Sequence, residues 1–258
     1  MNEKKGGLPL IIGHRGAYDV APENTLKGFK KAIELKADYI EFDVHQTKDG
    51  ALVIIHDIDI LRRMGIKSTI EQMTLKELKK LDFGEGERIP ELWELVEVAK
   101  GKVKFLCELK AQGISKKVIN LLREEHLIDS TIIESYIIEE LMEVRKIEPS
   151  IELAALVPKN RGILLEWEKR KTMIQGVIDL GITNIVTRLL NVDDLFVRYC
   201  HKNNIKVFVY SLNTELTMKR FISMGVDGII VNSISKAKAL LTKPIQKKNL
   251  NNDLEQLP

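Results

Sequence analysis

The stretch IGHRGAYDVAPENTLKGFKKAIELKADYIEFDVHQTKDGALVIIHD, Ile12 to Asp57, decides how the chain is read. It sets His14, Arg15, Glu41, Asp43 and His56 in short strand-like or turn-like segments of otherwise apolar sequence. The runs LPLIIG and DYIEFDV flank a helical pattern, NTLKGFKKAIELKA, and a strand, helix, strand unit returns its strands in parallel through a crossover. No helix separates EFDVHQT from ALVIIHD. Only Lys48-Asp49-Gly50 stands between them, and Asp-Gly predicts a tight two-residue antiparallel hairpin, because a type I′ turn needs φ > 0 at both central positions. With Lys48 facing Ala51, counting back along both arms sets His56 opposite Asp43.

Outward from this stretch the alternation continues through VKFLCEL, STIIES, IELAALV, TNIVT, KVFVYSL and GIIV, each followed by a helical pattern. Nine strand candidates result. Removing the hairpin arm ALVIIHD leaves eight, the number of a closed (β/α)8 TIM barrel. Residues 58 to 90 break the rhythm and are expected to form a small insertion at the barrel mouth. Within it a short helix is expected from about residue 75 to 81, with Thr74 as N-cap and Glu77 completing a capping box. Residues 1 to 243 form one expected catalytic domain, and the polar, Asn-rich stretch 244 to 258 an expected frayed tail.

A chain of 258 residues is long enough for one large core. Forty basic against thirty-seven acidic residues leave a net charge of +3, which argues against a general polyanion-binding surface and so against nucleic acid. The opening MNEKKGGLPL lacks the apolar core of a signal peptide, and no apolar run reaches membrane-spanning length, so a cytoplasmic protein without stable membrane insertion is expected. A homo-oligomer is left open. Cys107 and Cys200 have no metal-type spacing and are expected to be buried free thiols.

In a strand, residues two apart share a face, so Glu41 and Asp43 point together, as do Glu108 and Lys110. Carboxylates crowded into a barrel wall resist ionising unless a cation joins them, and Glu41, Asp43 and Glu108 make an oxygen set suited to one divalent ion, Mg²⁺ or Ca²⁺. An internal salt-bridge cluster with Arg15 and Lys110 is the competing reading. His14 and His56, each at a strand end, suit an acid/base pair. Arg15 offers a planar fork for phosphate oxygens and Lys110 a point charge beside the metal. His45 shares the parity of Glu41 but lies farther up the hairpin, where a solvent-facing or supporting role is expected. His126 and His201 are expected to be solvated, and Asn24 or Thr25 to cap the following helix.

At these residues the chain resembles the glycerophosphodiester phosphodiesterase family in its short cytoplasmic prokaryotic type. The matching elements are His14-Arg15-Gly16, Pro22-Glu23-Asn24-Thr25, Glu41-Phe42-Asp43-Val44, Thr47-Lys48-Asp49-Gly50, His56-Asp57, Glu108-Leu109-Lys110 and Gly225-Val226-Asp227-Gly228-Ile229. The resemblance implies a TIM barrel of the phospholipase-C-like phosphodiesterase type. In it His14 and His56 exchange protons, Glu41, Asp43 and Glu108 hold a divalent metal, and Arg15 and Lys110 bind phosphate. It further implies attack by the neighbouring glycerol hydroxyl, expulsion of an alcohol, and opening of a cyclic phosphate by water to glycerol 3-phosphate. Small glycerophosphodiesters such as glycerophosphocholine or glycerophosphoethanolamine are the expected substrates.

The chain departs from the family late. Tyr210-Ser211-Leu212-Asn213 stands where Trp-Thr-Val-Asn is usual, and Val231-Asn232-Ser233-Ile234 where Thr-Asp-x-Pro is usual, which bears on substrate preference and makes Tyr210 a candidate substrate contact. Two alternatives follow from the same residues. One is a lysophospholipase D-type enzyme, with Ile58, Ile60, Leu61 and Met64 as an apolar entrance; the other is a non-catalytic barrel that binds a phosphorylated ligand.

Overall fold

A computed structural model of the chain describes residues 7–56, 64–157 and 165–242. Within them lie nine strands: β1 (Leu10–Gly13), β2 (Tyr39–Gln46), β3 (Leu52–Ile54), β4 (Lys104–Leu109), β5 (Thr131–Ser135), β6 (Glu152–Leu156), β7 (Asn184–Arg188), β8 (Lys206–Tyr210) and β9 (Gly228–Val231). Eight of them are parallel and run in the order β1-β9-β8-β7-β6-β5-β4-β2. Pairing of Ile12 with Tyr39 and Gly13 with Ile40 then joins β1 to β2 and closes the barrel. The ninth, β3, has β2 as its one partner among the described strands and is antiparallel to it, as the helix-free Lys48–Gly50 link requires; on its other side Val53 bridges to Glu91.

The hairpin register differs from the expected one by a single residue. His45 pairs with Val53 and Gln46 with Leu52, and the Ile55 amide donates to the Asp43 carbonyl at 2.9 Å, so Ile55 and not His56 stands opposite Asp43. The turn is the cause. Thr47 pairs with Ala51 across a three-residue loop, the Gly50 amide donating to the Thr47 carbonyl at 3.0 Å with Gly50 at φ +86°. This is a type I turn closed by a left-handed glycine, where a two-residue turn was expected. Because side chains alternate along a strand, the slip matters for orientation. His56 reaches the pocket from beyond the end of β3, past the last paired residue.

Inside the barrel the floor is a plug of alternate residues, among them Ile12, Leu106, Ile132, Ala154, Val186, Phe208 and Ile230. Gly228 is needed here, since a Cβ on it would sit 2.8 Å from the Phe208 ring. The outer, larger core lies between strands and helices, where Phe42 meets Phe29 and Phe105 edge to face. Two residues farther along every barrel strand but β6, which keeps Leu156 there, the same inward parity becomes polar at the carboxyl ends, the usual place for function in this architecture.

The insertion contributes a helix over Leu75–Leu78 with Thr74 as cap, and Glu77 accepts from the Thr74 amide at 2.8 Å, completing the expected capping box. A separate cluster of Val53, Ile55, Ile70, Leu78, Phe83 and Ile89 fastens it to the hairpin. Ile58, Ile60 and Leu61 lie outside the described residues, as does the 244–258 tail. Met64 packs against that cluster. Cys107 and Cys200 are buried free thiols, and among the described residues no helix is long and apolar enough to cross a membrane.

Candidate active site

The carboxyl ends of the strands surround a pocket of about 300 Å³, enough for a small diester. His14, Arg15, Glu41, Asp43, His56, Glu108, Lys110 and Tyr210, all singled out from sequence, line it. Ser211, part of the late departure at Tyr210–Asn213, lines it too, as do Glu134, Tyr136 and Arg188, which were not singled out.

The loop after β1 is built to bring two charged groups together. Arg15 (φ +53°), Gly16 (φ +90°) and Asn24 (φ +54°) all occupy the left-handed region, so the chain doubles back immediately after the strand. Glycine is required at 16, because a Cβ there would lie 2.8 Å from the Gly28 carbonyl carbon. The Arg15 amide donates to Glu41 at 2.8 Å and its guanidinium to Glu23 at 2.8 Å. Thr25 caps the helix Leu26–Glu34 by accepting from the Gly28 amide. That leaves Asn24 free to donate its side-chain amide to Asp43 at 2.8 Å. Of the two expected caps, Thr25 caps and Asn24 serves the site.

Asp43 is fully buried between two cations, 3.5 Å from the Arg15 guanidinium and 3.3 Å from the Lys110 ammonium. Burial works against its charge, but Lys110 and Arg15 outweigh it and hold the carboxyl well below its ordinary range. Burial would likewise lower the Lys110 ammonium, yet Asp43 and Glu108, the latter 2.9 Å away, keep it above its usual value. The salt-bridge cluster expected as the competing reading is therefore present around Asp43.

The glutamates behave differently. Burial, then repulsion from Asp43, pushes Glu108 up to about 8 and Glu41 well above its ordinary range. Glu134 is raised by burial and then by Glu108 and Glu41. Glu41, Glu108 and Glu134 each offer an oxygen within 4.8 Å of the others, and one Glu134 oxygen is buried with no hydrogen-bond partner. Three buried carboxyls that converge and resist ionising fit a hard divalent cation with oxygen ligands. Asp43 stands beside this group, with Glu108 as its carboxyl neighbour. Glu134 holds the inward parity of β5 next to Ile132, and that parity was its one sequence signal.

His14 contacts the Asn232 side-chain oxygen through Nδ1 at 2.8 Å. With that oxygen as acceptor the ring proton sits on Nδ1, and Nε2 is left as a free base. Burial and then the Arg15 charge lower His14 to about 4, so it is neutral at ordinary pH. Asn232 falls at one of the late departures from the family pattern. His45 is not solvent-facing: it is buried, and burial lowers it to about 4. His126 is exposed, and so is His201, which pairs with Asp227 at 2.8 Å. On the far wall the Tyr136 and Tyr210 hydroxyls meet at 2.8 Å.

The model of the glycerophosphoryl diester phosphodiesterase family matches residues 14–236. A glycerophosphodiester phosphodiesterase of Caldanaerobacter subterraneus subsp. tengcongensis is 36% identical over 237 residues, covering 86% of this chain and 93% of that one. One from Bacillus altitudinis is 28% identical, covering 89% and 97%. Among solved structures, an Oleispira antarctica phosphodiesterase in complex with the product sn-glycerol-3-phosphate superposes with a TM-score of 0.80 at 24% identity, over 92% of this chain and 98% of that one. Its likeness is one of fold. With the family model matched across the whole barrel and a relative above one-third identity, the chain belongs to the glycerophosphoryl diester phosphodiesterase family, a family of enzymes.

Proposed function

We propose that the pocket hydrolyses glycerophosphodiesters to glycerol 3-phosphate and an alcohol, with a divalent cation, Mg²⁺ or Ca²⁺, held by Glu41, Asp43 and Glu108 and closed in by Glu134. The carrying observation is a histidine, His14, with Nδ1 held 2.8 Å from the Asn232 side-chain oxygen, in the same pocket as Arg15, Lys110 and a convergent carboxyl group. The cation supplies charge to offset the phosphate and to acidify an oxygen next to it.

The chain's own residues do the rest. Arg15 and Lys110 receive the phosphate oxygens and stabilise the added negative charge on five-coordinate phosphorus. His14 Nε2 takes the proton of the glycerol 2-hydroxyl as that oxygen bonds to phosphorus. His56 gives a proton to the alcohol oxygen as its bond to phosphorus breaks. Water then opens the cyclic phosphate with the two proton transfers reversed, which restores both histidines. Tyr210 closes the wall against the alcohol. A relative bound to sn-glycerol-3-phosphate supports the product assignment.

Release of glycerol 3-phosphate from a panel of glycerophosphodiesters, followed with and without EDTA and in a His14→Ala variant, tests the reading. Undiminished release under either condition refutes it. Phosphorus NMR during turnover should show a transient five-membered cyclic phosphate.

A further inference from the structure

Arg188 is the pocket cation that the proposed chemistry does not use. It lies at the carboxyl end of β7, paired in register with Tyr210, and shares the inward parity of Val186 in the barrel floor. Around the closed barrel, β7 is reached from β2 through β4, β5 and β6 in one direction and through β1, β9 and β8 in the other. Arg188 therefore stands across the mouth from Glu41 and Asp43. Its Nε is buried without a hydrogen-bond partner, and no ion pair or hydrogen bond engages its side chain among the described residues. Asp43 by contrast takes both other pocket cations, Arg15 and Lys110. A half-buried guanidinium whose Nε is cut off from water leaves that donor open, which is costly unless something completes it.

We infer that Arg188 selects the alcohol half of the substrate, favouring head groups with a second anionic oxygen pair, carboxylate or phosphate, over cationic ones. This rests on the hydrolase reading above. The reacting phosphate is anchored on the β1, β2 and β4 side by Arg15 and Lys110, so the diester's free end crosses the mouth toward β7. The glycerol end carries no charge, so a guanidinium there discriminates through the alcohol. A planar fork matches the paired oxygens of a carboxylate or phosphate. The apolar neighbours Leu156, Val186 and Ile230 offer no counter-charge of their own. A quaternary or primary ammonium would instead meet a like charge in a site walled by low-dielectric groups.

Five diesters test this: glycerophosphocholine, glycerophosphoethanolamine, glycerophosphoglycerol, glycerophosphoserine and glycerophosphoglycerophosphoglycerol. The wild type should give the highest kcat/KM on one or both of the last two, and which one leads distinguishes carboxylate from phosphate recognition. Arg188→Gln should lose about tenfold to a hundredfold more on those two than on glycerophosphoglycerol, the range of a hydrogen bond to a charged group. Arg188→Lys should recover part of that loss, and Arg188→Glu should shift preference toward the cationic head groups. An equal fall on all five would make Arg188 a structural or general phosphate residue and overturn the inference, as would wild-type preference for choline or ethanolamine. Calorimetric binding of the same five to metal-loaded His14→Ala reads the preference without turnover. If the wild type hydrolyses none of them, the hydrolase reading fails, while the binding order still decides the role of Arg188.

Discussion

Loading the pocket with Ca²⁺ or Mg²⁺ should release protons, and the number follows from the carboxyls. A group held at about 8, as Glu108 is, is about 0.9 protonated at pH 7, about half at pH 8 and about 0.1 at pH 9. A cation binds the ionised form, so it must displace that proton. Glu41 and Glu134, raised by the same burial, add to the count. Asp43, already ionised between Arg15 and Lys110, adds nothing. Between about one and three protons should therefore leave per ion at pH 7, and the count should fall toward zero as pH rises past the carboxyl values. Below that range affinity should strengthen about tenfold per pH unit for each proton displaced. Calorimetric titration in buffers of different protonation enthalpy gives the count as the slope of apparent enthalpy against buffer enthalpy. Glu134→Gln should lower the count by up to one and weaken binding. Tight binding with no proton release at pH 7 would refute the reasoning, since the glutamates would then be ionised on the strength of Arg15 and Lys110 alone.

His14→Ala should reduce kcat by about 10²–10⁴-fold at saturating metal, while calorimetry shows metal affinity retained. Because the neutral ring is the base, protonation as pH falls removes activity, and the acid limb of kcat/KM at saturating metal should centre near 4. A limb near 6.5 would show that burial does not govern the ring. Asp43→Asn leaves Arg15 and Lys110 without their shared partner and should cost about 3–5 kcal/mol in urea denaturation; a loss below about 1 kcal/mol would mean that both cations are well solvated. Gly16→Ala must hold alanine at φ +90° against the Gly28 carbonyl and should cost about 1–3 kcal/mol, read as a lowered Tm.

Much of the site was legible because it depends on local periodicity. Glu41 with Asp43, and Glu108 with Lys110, share a face on any extended strand, whatever the strand later packs against. The count of eight strands came from recognising that Lys48-Asp49-Gly50 is too short for a crossover. The same loop misled over register: both a two-residue and a three-residue turn suit Asp-Gly, and pairing of Thr47 with Ala51 chose between them. For His45 parity gives a face and not a depth: of the solvent-facing and supporting roles expected, its burial leaves the supporting one.

Glu134 and Arg188 carried almost no sequence signal, and Asn232 showed only as a late departure from the family pattern. Each is a polar residue at the end of an apolar run, and such residues as often face solvent. Sequence by itself determined the strand count, the inward parity of the acids and the pairing of charged residue types in the first barrel quarter, since these follow from backbone geometry within a few residues. Only strand pairing between distant segments decided the rest. The β4–β5 register set Glu134 beside Glu108, pairing of β9 with β1 set Asn232 against His14, and closure of the ring stood Arg188 across the mouth, because none of these placements follows from the local sequence of one strand.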